Sequence, residues 1–154
     1  MVHYLTFGIS ISFISWIVGI IGNSVLEKTD YYQTLSHMNF IPNRSFNKWI
    51  GLKYFKWIVR NTFFKFFNPD LKLKGKKVEL STIRYEMTKA EIGHLIGFVF
   101  VVGFAIYKGI NENWLFAFII IIPNVLMNLY PSLLQQENKR RIDLLLKRKS
   151  IKVQ

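Results

Sequence analysis

The sequence predicts an all-α integral membrane protein with about three transmembrane helices plus one or two basic amphipathic helices at the membrane surface. Three observations carry this. Of 154 residues, 51% are hydrophobic, among them 14 Phe, 7 Tyr and 4 Trp. That apolar content is gathered into blocks at about 4–26, 92–107 and 114–134. The net charge of +12 is crowded into the segments between and after those blocks.

The first block, Tyr4 to Leu26, holds no charged residue and is long enough to cross a hydrocarbon core of about 30 Å at about 1.5 Å per residue. Only Met1-Val2-His3 precede it, and no small-residue cleavage site follows, so a removed secretory signal is not expected. The second block, Ile92 to Tyr107, is short for a span, and Lys108 is expected to snorkel to the interface beyond it. The third, Trp114 to Leu134, is interrupted by Pro123, Asn124, Asn128 and Pro131. Backbone groups freed by proline need partners in lipid, so this span is expected to be kinked and packed within a bundle.

Between the first two spans, residues 46–67 place Lys53, Lys56, Arg60 and Asn61 on one helical stripe, with Trp49, Phe55, Trp57, Phe63, Phe64 and Phe67 around the rest. A helix of this kind lies in the headgroup plane. The same residue types bind nucleic acid, but with three spans beside them the phosphates at hand are those of lipid, and no nucleic-acid partner is expected. Asn68-Pro69-Asp70 ends this helix, and Leu71 to Lys77 reads as a solvated, lysine-rich connector. The tail, 135–154, is expected to carry a second basic amphipathic helix, with Ile142, Leu145 and Leu146 on one side and Arg141, Lys147 and Arg148 toward water. The whole of 1–154 is read as one membrane domain.

Basic residues crowd the segment from Lys28 to Lys89 and the tail, whereas the 108–113 connector carries one Lys and one Glu. The positive-inside rule then gives a multi-pass chain in the cell membrane, N-terminus outside and C-terminus cytoplasmic. The absence of cysteine excludes a disulfide, a thiolate nucleophile and a Cys-ligated metal. A Gly-rich phosphate loop, a His-x-Glu zinc signature and a Gly-x-Ser-x-Gly elbow are likewise missing.

The chemistry concentrates in Glu86-Met-Thr-Lys89-Ala-Glu91-Ile-Gly-His94, where ionisable groups enter the second span. Such groups are costly inside a membrane and tend to be functional or interfacial. Glu91 and His94 share a helical face, and a carboxylate beside an imidazole suits general-base chemistry. Thr88 with Glu91 also fits a capping box at a helix start, and His94 also suits a histidine satisfied by a neighbouring helix. Gly93 and Gly97 form a packing face that would admit another helix close to His94. A metal held by Glu86, Glu91 and His94 lacks a second histidine, since His3 and His37 are expected elsewhere, and no metal is expected. In the third span Asn124 and Asn128 lie on one face, suited to interhelical hydrogen bonds, to a polar substrate head or to orienting the base. At its cytoplasmic end Tyr130, Gln135, Asn138, Lys139, Arg140 and Arg141 suit anion recognition or a positive-inside anchor.

The run Glu86-x-x-Lys89-Ala90-Glu91-x-x-His94, with Asn128-x-Tyr130-Pro131-x-x-x-Gln135-x-x-Asn138-Lys139-x-Arg141 after a further span, resembles the glycosyl-4,4'-diaponeurosporenoate acyltransferase family of small membrane proteins. The resemblance covers roughly the C-terminal two thirds. The family reads Gln-Arg-Tyr-Asn-Arg-x-Arg where this chain has Gln136, Glu137 and Lys139 in place of Arg, Tyr and Arg, and its Trp-Lys-Asp is replaced by Trp57-Ile58-Val59. The resemblance implies esterification of a glycosylated carotenoid acid with a fatty acyl chain. The expected activity is therefore O-acyl transfer from a thioester donor to a hydroxyl of a glycosylated carotenoid or other lipid-like acceptor, with no cofactor. His94 would take the hydroxyl proton, Glu91 or Glu86 would orient the imidazole, and Asn128 or Lys89 would stabilise the oxyanion. Lys139, Arg140 and Arg141 would hold anionic donor groups. Expected partners are membrane lipids, the acyl donor and the acceptor, with a homo-oligomer left open. The rival readings are a non-catalytic membrane assembly subunit, in which the same residues cap and pair helices, and a pore or transporter fragment, which three spans without a repeat disfavour.

Overall fold

The computed structural model describes residues 1–37, 44–62 and 79–151. Their order is α1 (Val2–Leu26), α2 (Tyr31–His37), α3 (Arg44–Trp49), α4 (Leu52–Asn61), α5 (Leu80–Asn111), α6 (Trp114–Asn124), a π-helical turn (Val125–Leu129) and α7 (Tyr130–Ile151). Among the described residues there is no strand, and three segments are long and apolar enough to cross a membrane: α1, α5 and the run Trp114–Arg148. The chain is an all-α membrane protein.

α1 turns the soluble pattern inside out. It buries Gly8, Ser12, Ser15, Gly19 and Asn23 with Ile11, and exposes Phe13, Ile14, Ile17, Ile20, Ile21 and Val25. Lipid solvates large apolar groups as well as a protein core does, so small residues take the helix contacts and bulky ones face outward. In the segment expected as one interfacial helix over 46–67, α3 and α4 are separated by a turn at Ile50-Gly51. Gly51 has φ +73°, a left-handed conformation that a residue with a Cβ adopts only at a cost. Trp49, Tyr54 and Trp57 are exposed on these short helices while Leu52 is buried. Residues 63–67 and the Leu71–Lys77 connector lie outside the described residues.

α5 has 32 residues, about 48 Å at 1.5 Å per residue, and takes in the charged run as well as the apolar block. Thr88 is therefore two turns inside a helix, where its hydroxyl donates to the Arg84 carbonyl at 3.0 Å. That placement overturns the capping-box reading, which needs Thr88 at a helix start. α6 is capped by Asn113, whose side-chain oxygen accepts from Phe116 N at 2.8 Å. From Trp114 the third span passes through the π turn into α7 without an intervening loop, so the basic tail helix continues the span.

The described chain forms two compact units. One holds α1, α2, α5 from Glu91 onward, α6 and the chain through Ser132. Its apolar core is Ile11, Val101, Ala105, Phe116, Ala117 and Ile120. α1 meets α5 backbone to backbone: a Cβ on Gly19 would lie 2.3 Å from the Gly93 carbonyl oxygen, and one on Gly97 would lie 3.0 Å from that of Ser15. This is the packing face expected at Gly93 and Gly97. Gly8 in turn lets Ile120 and Pro123 approach α1. Toward the start of α1, Tyr4 stacks on Phe116 at 4.1 Å, and Lys108 Nζ sits 5.3 Å from the rings of both Phe7 and Phe116 while bonding Glu112 Oε1 at 2.5 Å.

The other unit holds α3, α4, α5 up to Ala90 and α7 from Leu133. Arg84 Nε donates to Asp143 Oδ1 at 2.5 Å, tying the start of α5 to α7. Met87, Leu133, Leu134 and Ile142 are buried here, and so are the polar Thr88, Gln135, Gln136, Asn138 and Lys139.

Candidate functional site

In the first unit, polar side chains from three helices converge at mid-span, and elementary donor and acceptor chemistry fixes how each is turned. Asn124 Nδ2 donates to the Phe98 carbonyl at 3.1 Å. A backbone carbonyl only accepts, so this bond identifies the Asn124 nitrogen and leaves Asn124 Oδ1 to receive Asn128 Nδ2 at 2.9 Å. The Ser15 hydroxyl gives its proton to the Ser12 carbonyl at 2.7 Å, and its oxygen accepts the other Asn128 hydrogen at 2.9 Å. Both hydrogens of the Asn128 amide are thus committed. Its Oδ1, on a fully buried residue, is the atom left to approach the His94 side chain, and it also borders Gly97. The contact is loose: among the described residues Oδ1 has no partner at hydrogen-bond geometry.

The π turn is what presents Asn128. Pro123 and Pro131, eight residues apart, each remove a backbone N–H from the i→i−4 ladder. Between them the helix widens, with Tyr130 N bonding back five residues to Val125 O. Pro131 has no hydrogen for the Met127 carbonyl, and the indole of Trp16 supplies one, Nε1 to Met127 O at 3.2 Å. Ser132 ties the end of this segment to α5 by donating to the Glu91 carbonyl at 3.0 Å. Such extra donors let a doubly proline-interrupted span sit in lipid.

His94 is partly buried, and its ring meets that of Trp16 at 87° with centroids 6.3 Å apart. Glu91 is buried one turn earlier on α5. Of the other expected site residues, Glu86 is exposed, and Lys89 is partly buried with Nζ 5.4 Å from the Tyr85 ring centre. Tyr130 is partly buried. Gln135, Asn138 and Lys139 are buried in the second unit, where Gln135 Oε1 has no hydrogen-bond partner among the described residues. Arg140 donates to Gln136 Oε1 at 3.3 Å, and Arg141 is exposed and paired with Glu137. His3 lies beside Tyr4 and Phe116, and His37 bonds within its own turn to the Gln33 carbonyl. Among the described residues no group of three His, Asp or Glu is arranged to hold a metal.

The arrangement brings His94 and Asn128 together with an orientation set by Asn124 and Ser15. An imidazole whose one nitrogen donates to a fixed carboxamide oxygen keeps the other as an acceptor, which is how an Asn serves a histidine base elsewhere. With both its hydrogens committed, Asn128 presents only an acceptor on the His94 side. Ser15 and Trp16 were not singled out in the sequence. The signal for their helix was present in the spacing of Gly8, Ser12, Ser15, Gly19 and Asn23, small or polar residues three or four apart in a span otherwise made of large apolar ones.

A model of the glycosyl-4,4'-diaponeurosporenoate acyltransferase family matches residues 28–148. No curated protein and no solved structure matches the chain. The matched segment contains His94, Asn124 and Asn128, and α1, which supplies Ser15 and Trp16, precedes it.

Proposed function

Because the chain belongs to the glycosyl-4,4'-diaponeurosporenoate acyltransferase family, and is an acyltransferase by that membership, we propose that it moves a fatty acyl chain from a thioester donor to a hydroxyl of a glycosylated carotenoid or similar lipid-like acceptor, with His94 as the base. The observation that carries this is the His94–Asn128 approach, in which a buried network leaves Asn128 only an acceptor to offer. The His94 nitrogen away from Asn128 takes the hydroxyl proton as the oxygen attacks the thioester carbonyl. The new C–O bond forms, the C–S bond breaks, and the imidazolium returns the proton to the departing thiolate, giving ester and free thiol. On the helix that carries His94, we assign Lys89 to the developing oxyanion and the buried Glu91 to the imidazolium charge. Glu86, exposed, has no assigned step. Tyr130, Gln135, Asn138, Lys139, Arg140 and Arg141 are assigned to the polar and anionic parts of donor and acceptor, and no cofactor enters. The exposed aromatic and basic residues of α3 and α4 suit contact with lipid headgroups, and the basic tail suits the cytoplasmic side.

Purified protein in lipid nanodiscs, given radiolabelled acyl thioester and a glycosylated carotenoid, tests the assignment. His94→Ala is expected to lower turnover by about 10²–10⁴-fold, the usual contribution of a positioned base, with the folded yield kept. Asn128→Ala is expected to lower it by about 10-fold or more, and Glu91→Gln to retain part of it. Full turnover by the His94→Ala protein would refute the role of His94.

A further inference from the structure

We propose that Trp16 is a positioning residue that fixes the plane of the His94 imidazole, a role that rests on the reading of His94 as the base. The approach of Asn128 to the imidazole is loose and leaves the ring free to swing. A second constraint is needed to aim the other nitrogen at the acceptor hydroxyl. Trp16 provides it: the two rings are nearly perpendicular at 87° with centroids 6.3 Å apart, an edge-to-face arrangement that resists rotation of either ring.

Trp16 is itself held. Its indole Nε1 donates to Met127 O at 3.2 Å, the carbonyl that Pro131 leaves without an i+4 partner. In lipid an unbonded carbonyl and an unbonded indole N–H are both costly, so each secures the other. One backbone turn therefore presents Asn128 to the imidazole nitrogen and, through the Met127 carbonyl, anchors the indole that packs against the imidazole ring. The base is referenced twice to the same π turn, and Trp16 comes from a helix that precedes the family-matched segment.

The experiment compares Trp16→Leu, which removes both ring and N–H, with Trp16→Phe, which keeps a ring but frees it from Met127. Turnover is measured per folded molecule in nanodiscs, beside His94→Ala. Trp16→Leu is expected to lower kcat by about 10-fold with KM for donor and acceptor unchanged, since misaiming a bound base affects the chemical step. Trp16→Phe is expected to recover part of that loss. Should Trp16→Leu fail to fold, the Phe variant alone decides, with a several-fold drop in kcat at constant KM expected. In a protein with Trp49, Trp57 and Trp114 changed to Phe, His94→Ala is also expected to raise Trp16 fluorescence by removing the neighbouring imidazole. Wild-type kcat in the Trp16 variants while His94→Ala is inactive overturns the positioning role alone. Unchanged Trp16 fluorescence on His94→Ala overturns the ring contact, and an active His94→Ala overturns the reading of His94 and the role of Trp16 with it.

Discussion

Adding one methyl group to either glycine of the α1–α5 crossing should have opposite effects. A Cβ on Gly19 would lie 2.3 Å from the Gly93 carbonyl oxygen and 2.9 Å from its carbon, all backbone, so no side chain can move aside. A Cβ on Gly93 would lie 3.6 Å from the Gly19 oxygen and 3.7 Å from its carbon, ordinary contact distances. Bringing the Gly19→Ala contact to about 3.2 Å requires the helices to part by about 1 Å, and overpacking of this kind costs about 1–3 kcal/mol. The gain from replacing a helical glycine by alanine is about 0.5–1 kcal/mol, so Gly19→Ala is expected to lose about 0.5–2 kcal/mol net and Gly93→Ala to be neutral or slightly stabilised. The same separation draws Ser15 from Asn128, where the bond is 2.9 Å, and Trp16 from His94. Turnover of the Gly19→Ala protein should therefore fall further than its stability does, toward the 10²-fold scale of a 1 Å misplacement. Thermal unfolding in detergent, followed by circular dichroism, and turnover in nanodiscs measure the two effects. Gly103→Ala is the control, since nothing lies within 4 Å of its Cβ. Equal loss at Gly19 and Gly93, or no loss at Gly19, would refute the backbone-contact argument.

The Arg84–Asp143 ion pair, with side chains 18% and 43% exposed, should give a coupling of about 0.5–1 kcal/mol in a double-mutant cycle with Arg84→Met and Asp143→Asn, reduced by screening as salt is raised. Lys108→Met removes a cation from between the Phe7 and Phe116 rings and a bond to Glu112; it should lower the unfolding temperature, whereas Glu112→Gln, which keeps the ring contacts, should lower it less. For orientation, single cysteines at the exposed positions Asn111 and Lys147 are clean probes in a chain without cysteine. An impermeant thiol reagent applied to intact cells is expected to label position 111 and spare 147, and the reverse pattern would invert the orientation.

Apolar runs in a bilayer leave the backbone little choice but helix, so the three spans and the all-α class were legible from composition, even though the 92–107 block is short and needs the residues around it to complete the crossing. The Gly93 and Gly97 packing face was legible for the same reason, since small residues spaced by four in a span have no other use as common as close helix contact. Local pattern failed where its meaning depended on what came before or across. Thr88 and Glu91 match a capping box only if a helix begins there, and helical residues from Leu80 onward remove that condition. Pro123 and Pro131 announced a disturbed span, but neither the π turn that follows nor the donor 111 residues away that serves its Met127 carbonyl, the Trp16 indole, can be read from the local pattern. The orientation of the Asn128 side chain is the clearest case. The sequence left open whether it donates or accepts, and in the packed helices Ser15 and Asn124 take both its hydrogens. A carboxamide looks the same in any sequence; which end of it remains free is set by partners that only the packed helices bring within 3 Å.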